Sequence, residues 1–249
     1  MEKIEYAALK YYNSCISEEC LYVGMLFYNV TTQTRTFNYI KNFSRLAVFD
    51  DEISIDFFKD YLSSIKEEAE LNIFNYNKPF DLKEYTKPFV NELRFSKIRS
   101  ETTDDPDFIE NITKLFLKYD YDKKERLSVG TELKYIRRIL KSSNVEYESK
   151  CSLKGKYNDT ITFDIVTQDY AIKFFKFRDK KLSKLVSSAR SWAYGAGELS
   201  GEKRVIFMYD EDVTDSCEFE SIISILGSNA EKVLPVEAGI DYITTISSK

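Results

Sequence analysis

Between Val129 and Val236 the apolar residues change period in a succession that few folds accommodate. Val129, Leu133, Ile136 and Leu140 step by 4, 3 and 4, the spacing of one helix face. Three strand-like runs follow, 145–153, 160–166 and 170–177. Tyr157-Asn158-Asp159 and Gln168-Asp169 separate them with residue types that favour hairpin turns. Leu182, Leu185, Val186, Ala189 and Trp192 form the next helix face, with Gly195 and Gly197 as its expected end. Residues 205–209 read as a strand, Phe219, Ile222, Ile223 and Leu226 as a helix stopped by Gly227, and residues 232–236 as a closing strand. The order α-β-β-β-α-β-α-β predicts a sheet layered with helices.

The first half has a different rhythm. Residues 4–12, 21–30 and 34–40 are rich in aromatic and β-branched residues and predict a meander, its second turn being Thr31-Thr32-Gln33. Phe58, Tyr61, Leu62, Ile65 and Ala69 fall at helical spacing behind Ser54, a candidate N-cap. Pro79 and Pro88 mark a looser stretch, and residues 93–98 suggest another strand. Asp105-Pro106 is a helix-start signal, followed by the stripe Phe108, Ile112, Leu115, Phe116 and Tyr119. The polar run from Asp120 to Arg126 is the best boundary. The expected fold class is α+β, with an acidic domain over 1–122 (a β-meander with two helices) and a second domain over 125–249.

The chain has 249 residues and no histidine, which removes Ser-His and Cys-His catalysis and His-ligated zinc. Cys15, Cys20, Cys151 and Cys217 lack the paired spacing of a zinc or redox site. No apolar run suits a membrane span, and the opening residues lack a signal-peptide layout, so the expectation is a cytoplasmic protein with reduced thiols.

Charge is unevenly spread. Residues 1–124 carry 17 Lys/Arg and 22 Asp/Glu, residues 126–190 carry 15 and 7, and residues 191–249 carry 4 and 11. The basic stretch is either a solvated face or an electrostatic footprint for nucleic acid. In the second case the contacts fall to Lys134, Arg137, Arg138, Lys141, Lys180, Lys181 and Lys184.

The second half resembles the restriction-endonuclease-like, PD-(D/E)xK fold, in which an acid ends the second strand and an acid-x-Lys lies on the third. Carboxylates there hold a divalent ion while the lysine orients or activates water. The resemblance assigns Asp164 as the metal and catalytic acid, Glu132 as an accessory acid, and Lys173 or Lys176 as the lysine. Ala171 and Phe174 stand two residues before those lysines, where the family has an acid. Neither side chain ligates a hard cation, so the fold is expected without activity.

Tyr6 to Tyr12, then Glu19, Val23 and Gly24 before an apolar strand, resemble the opening of an uncharacterised bacterial family, domain of unknown function 3037. Tyr22 stands where that family has Asn. Leu93 to Arg99 followed by Asp105-Pro106 is similar to its strand, basic residue and helix start. The resemblance supplies no catalytic residues. It implies a bacterial or phage accessory protein, with host–phage conflict as a setting. Gly24 by itself suggests a bulge or a close backbone approach.

Three other signals fail. Gly195 to Gly201 lacks the order and spacing of a phosphate loop. Ser63 and Lys66 sit inside an amphipathic helix, and Asp210, Glu211, Asp212 and Asp215 lack spaced calcium ligands. The leading expectation is a non-catalytic protein without cofactor, binding a protein or nucleoprotein partner and no membrane. The alternatives are a Mg²⁺-dependent nuclease with a migrated site and a DNA-binding module.

Overall fold

The computed structural model describes residues 1–14, 19–71, 79–177, 181–199, 201–210 and 217–246. The chain is mixed α+β and divides into two compact units, Met1–Ser143 and Asn144–Lys249. Sequence placed the boundary at 122–125 and gave the helix after it to the second domain. That helix instead packs on elements of the first unit, for reasons set by its polar partners below.

The first unit is built on β1 (Glu2–Tyr11), β2 (Leu21–Asn29) and β3 (Thr34–Tyr39), an antiparallel meander with β1 in the interior. Gln33 takes φ of 58° in the β2–β3 turn. Every residue of β2 is buried, so helices cover both faces. Tyr6 and Tyr11 point to opposite faces of β1. Tyr6 packs edge-on to Phe108 of α4 (Phe108–Phe116), and Tyr11 edge-on to Phe58 of α2 (Ile55–Leu71).

Gly24 has both roles expected of it. Leu9 pairs with Gly24 and Lys10 with Tyr22, so Val23 is the extra residue of a bulge. The Phe37 ring of β3 lies against Gly24, with its Cζ 2.6 Å from where a Cβ would sit.

The far side of β1 pairs with β4 (Leu93–Phe95) and β5 (Arg99–Thr103). The expected strand over 93–98 breaks at Ser96. There the backbone N–H of Ser96 donates to Ala8 O, and the Ser96 hydroxyl accepts from Ala8 N–H at 3.0 Å. At the opposite edge, α2 reaches over β3. The Lys66 ammonium donates to Phe37 O at 3.1 Å, and Glu70 Oε1 accepts from Phe37 N–H at 2.9 Å. The two side chains are themselves paired at 2.5 Å.

The unit also holds two short helices, α1 (Ser44–Phe49) and α3 (Leu82–Thr86), and closes with α5 (Val129–Ser142). Sequence reading expected two helices before residue 122, fewer than these. It also set the start of α4 at Asp105, whereas the N-cap is Asp107. Asp105 Oδ1 accepts from Asp107 N–H, an Asx turn leading into the helix. The helix α5 starts at Ser128, whose hydroxyl accepts from Thr131 N–H, and Asn144 at φ 57° ends it in the left-handed region.

The second unit has a five-stranded sheet in the order β12-β11-β10-β9-β6. These strands are β6 (Glu148–Ser149), β9 (Ile165–Val166), β10 (Tyr170–Phe175), β11 (Arg204–Tyr209) and β12 (Lys232–Pro235). The last three are parallel, joined through α6 (Leu182–Leu199) and α7 (Cys217–Gly227), while β9 pairs antiparallel to β10. Leu185, Ala189, Ala196, Ile222 and Leu226 of α6 and α7 share one core with Ala171, Phe175, Val205 and Phe207. A further helix, α8 (Val236–Ile246), follows the strand that sequence took as the last, and it packs on β11 and β12.

Two expected features of this unit are corrected. The runs 145–153 and 160–166 are not continuous strands. Each breaks, and the outer parts form a separate hairpin, β7 (Ser152–Lys154) and β8 (Thr160–Thr162). The break lies at Lys150, with φ of 53°, and at Asp164. Gly195 and Gly197 do not end α6 but lie inside it. A Cβ on Gly195 would meet Ile161 at 3.1 Å, and one on Gly197 would meet Asn229 at 3.1 Å, so both serve close packing.

Candidate functional site

Asp164 stands where β9 and β10 diverge. Its backbone N–H still donates to Ile172 O, but the next ladder position has no backbone acceptor. The Asp164 carboxylate takes it over, with Oδ2 accepting from Phe174 N–H at 3.0 Å and meeting Lys173 Nζ at 3.1 Å. Lys173 also donates to Thr162 O and lies 4.6 Å from the Trp192 ring centroid. The structure therefore brings two predicted site residues together, as a neutral pair at a sheet break. Lys176 lies beyond β10 and is exposed.

Glu132 is not beside them. It sits on α5 in the first unit, buried against the ammonium of Lys118 at 3.0 Å. Burial of this opposite-charge pair costs desolvation that the mutual pairing helps to offset. Among the described residues no group of three or more Cys, Asp or Glu is placed to hold a metal ion.

The predicted basic face of α5 is partly consumed by the fold. Arg138 meets Glu101 Oε1 at 3.2 Å, Asp105 Oδ2 at 3.0 Å and Thr103 Oγ1 at 2.9 Å. Tyr135 donates its hydroxyl to Asp105 Oδ2 and accepts from Asn111 Nδ2. The Tyr135 bond, aided by Arg138, holds the Asp105 carboxyl below its ordinary value. Burial and that same bond push the Tyr135 phenol up to about 12. These bonds tie α5 to β5 and to the start of α4, which is why the unit boundary follows Ser143. Of the remaining basic candidates, Lys134 and Lys141 are exposed on α5, and Arg137 is half-buried. Lys181 and Lys184 are exposed at the start of α6 in the second unit, and Lys180 lies outside the described residues.

Two concave surfaces were not anticipated. In the second unit a cavity of about 850 Å³ is lined by residues including Glu146, Glu148, Cys151, Asp169, Tyr170 and Lys203. Lys203 is already committed there, donating to the Thr167 and Gln168 carbonyls. The Cys151 thiol is raised above its ordinary pKa, chiefly by its hydrogen bond with Glu148, which opposes thiolate chemistry.

In the first unit a groove of about 400 Å³, open on one side, runs between α2 and the segment before β4. Tyr11, Phe57, Phe58, Tyr61, Phe89 and Val90 are among its walls. Phe57 is 70 % exposed, Tyr61 42 % and Val90 66 %. Phe57 and Tyr61 stack with ring centroids 6.2 Å apart. The Tyr11 hydroxyl at its floor donates to Asp50, whose other oxygen accepts from Glu52 N–H. Helical spacing predicts Tyr61 on the buried stripe, and the structure instead opens it to solvent. Phe57 and Tyr61, four apart on the shoulder of that stripe, were the available signal.

Residues 6–119 match the model of a family described as a protein of unknown function, DUF3037. The matched segment lies within the first unit and includes the bulge glycine, the groove and Asp105. No curated protein and no solved structure matches the chain.

Proposed function

We propose that the chain is a non-catalytic binding protein whose partner-facing surface is the aromatic groove of the first unit. The observation that carries this reading is the open Phe57–Tyr61 stack beside Val90, large apolar side chains left in solvent around a concavity. Contiguous exposed apolar surface of this kind marks interaction sites. Of the candidate acids and bases, Asp164 is engaged with Lys173 and with Phe174 N–H, Glu132 with Lys118, and Arg138 with Glu101 and Asp105. A photo-crosslinking amino acid at position 61 should give discrete protein adducts in cells of the source organism, and the same group at exposed Lys83 should not. Absence of adducts at position 61, or identical patterns at both, would overturn the reading.

The second reading is a metal-dependent nuclease on a restriction-endonuclease-like second unit, favoured by the meeting of Asp164 and Lys173 and by a mixed sheet with parallel β10 and β11 joined through α6. It requires a second carboxylate beside Asp164 from a residue other than Phe174 or Ala171. A DNA-binding role would fall to exposed basic candidates, Lys134 and Lys141 on the first unit or Lys181 and Lys184 on the second. Mg²⁺- or Mn²⁺-dependent cleavage lost in Asp164→Ala would support the nuclease.

A further inference from the structure

We propose that the groove takes a cationic segment of a partner protein, anchored by an apolar side chain; this rests on the binding reading above. The anchor is argued from size and lining. A volume of about 400 Å³ walled by Phe57, Tyr61, Phe89 and Val90 suits one or two large apolar side chains. Open aromatic pockets of this type supply the centre of protein interfaces.

The cationic character is argued from charge complementarity. The α2 side of the groove is lined by Ile53, Phe57, Phe58 and Tyr61, and the chain around them, residues 50–70, carries eight carboxylates and two lysines. Both lysines are committed. Lys59 pairs with Asp56, and Lys66 pairs with Glu70 and donates to Phe37 O. Asp51, Glu52, Asp60 and Glu67 are exposed, and Glu92 lies in the groove wall itself. An anionic partner would meet like charge on this approach, whereas a Lys/Arg-bearing one is steered toward it. The aromatic faces of Phe57 and Tyr61 add a second reason, because cations rest favourably on such rings.

The test uses the full chain and a fluorescein-labelled decapeptide of alternating Lys and Leu, with Ser-for-Lys and Ser-for-Leu versions beside it. The Lys–Leu peptide should bind, and both substituted peptides should bind about tenfold more weakly or less, since each removes one of two contributions. Binding should weaken about threefold or more between 50 and 300 mM salt, because exposed charges are screened over ~10 Å at 0.1 M. Phe57→Ser and Tyr61→Ser should each weaken it about tenfold, and Asp51→Lys with Asp60→Lys should do the same. All four positions are exposed, so the variants keep the core, and an unchanged melting temperature verifies this. Equal binding of the Ser-for-Lys peptide would overturn the cationic partner while leaving the groove reading intact. Wild-type binding by Phe57→Ser and Tyr61→Ser would overturn both. No binding of the Lys–Leu peptide at 1 mM would overturn the cationic proposal, as would a concentration-dependent dimer abolished by Phe57→Ser, which would make a second copy the occupant.

Discussion

Asp164 and Lys173 are joined at 3.1 Å at the point where a two-stranded hairpin peels away from the main sheet of the second unit. The same carboxylate oxygen replaces a backbone acceptor for Phe174 N–H. A residue that would hold a metal in a nuclease is here occupied with closing a ladder.

Asp164→Ala should therefore destabilise the protein by about 1–3 kcal/mol, the cost of leaving a buried N–H without an acceptor. Asp164→Asn keeps an oxygen for Phe174 N–H and should lose less. Urea unfolding of the three proteins checks the order. Wild type and both variants should alike leave DNA and RNA uncut with Mg²⁺ or Mn²⁺.

Gly24→Ala tests the close approach in the first unit. The added methyl group falls 2.6 Å from Phe37 Cζ, and Phe37, on β3 with its ring against β2, is fully buried. The ring must shift, and overpacking of this sort costs about 1–3 kcal/mol. Gly24→Ala combined with Phe37→Leu should recover part of the loss in thermal melts, because the shorter side chain vacates the space.

Asp105 predicts an acid limb. Its folded pKa is depressed by Tyr135 and Arg138, so on acidification it takes up a proton later than in the unfolded chain. Its stabilisation is complete above the unfolded value of about 3.9 and is lost as pH falls through the lower folded value. Stability measured by urea unfolding should fall less steeply below about pH 4 in Asp105→Asn than in wild type. Equal slopes would remove Asp105 from the acid response.

Glu198 predicts the opposite sign. Burial and the neighbouring Asp159 raise its carboxyl above the ordinary value, against hydrogen bonds from the Lys156 and Tyr157 backbone that lower it. Folding favours its protonated form, so this contribution is present below the unfolded pKa and fades as pH rises through the folded one. Glu198→Gln, neutral at every pH, should raise the melting temperature at pH 7 and change it little at pH 4.

Periodicity made most elements legible, because the helices α2 and α4 to α7 each carry an apolar stripe and the strands β1 to β3 and β10 to β12 carry aromatic and β-branched runs. What it could not reveal was decided by polar side chains acting across the chain. The breaks at Lys150 and Asp164 depend on a carboxylate substituting for a backbone group, and no apolar period records that. The unit boundary depends on Arg138 reaching Glu101 and Asp105, more than thirty residues earlier. Charge counts marked Arg138 as basic surface, yet its guanidinium is spent inside the unit. The groove was hidden for a third reason. Tyr61 satisfies helical spacing with the buried residues, and only the position of the segment carrying Phe89 and Val90 shows that its ring opens to solvent.

The clasp of Lys66 and Glu70 on Phe37 has a consequence for how copies of this chain behave when crowded. An outermost strand with bare amide and carbonyl groups is a growth front onto which a neighbour's strand can crystallise. By occupying both groups at the middle of β3, the helix turns that front into a finished border. Recognition by the first unit is thereby routed to side chains rather than to backbone, and the sheet stops at the last strand its own sequence supplies.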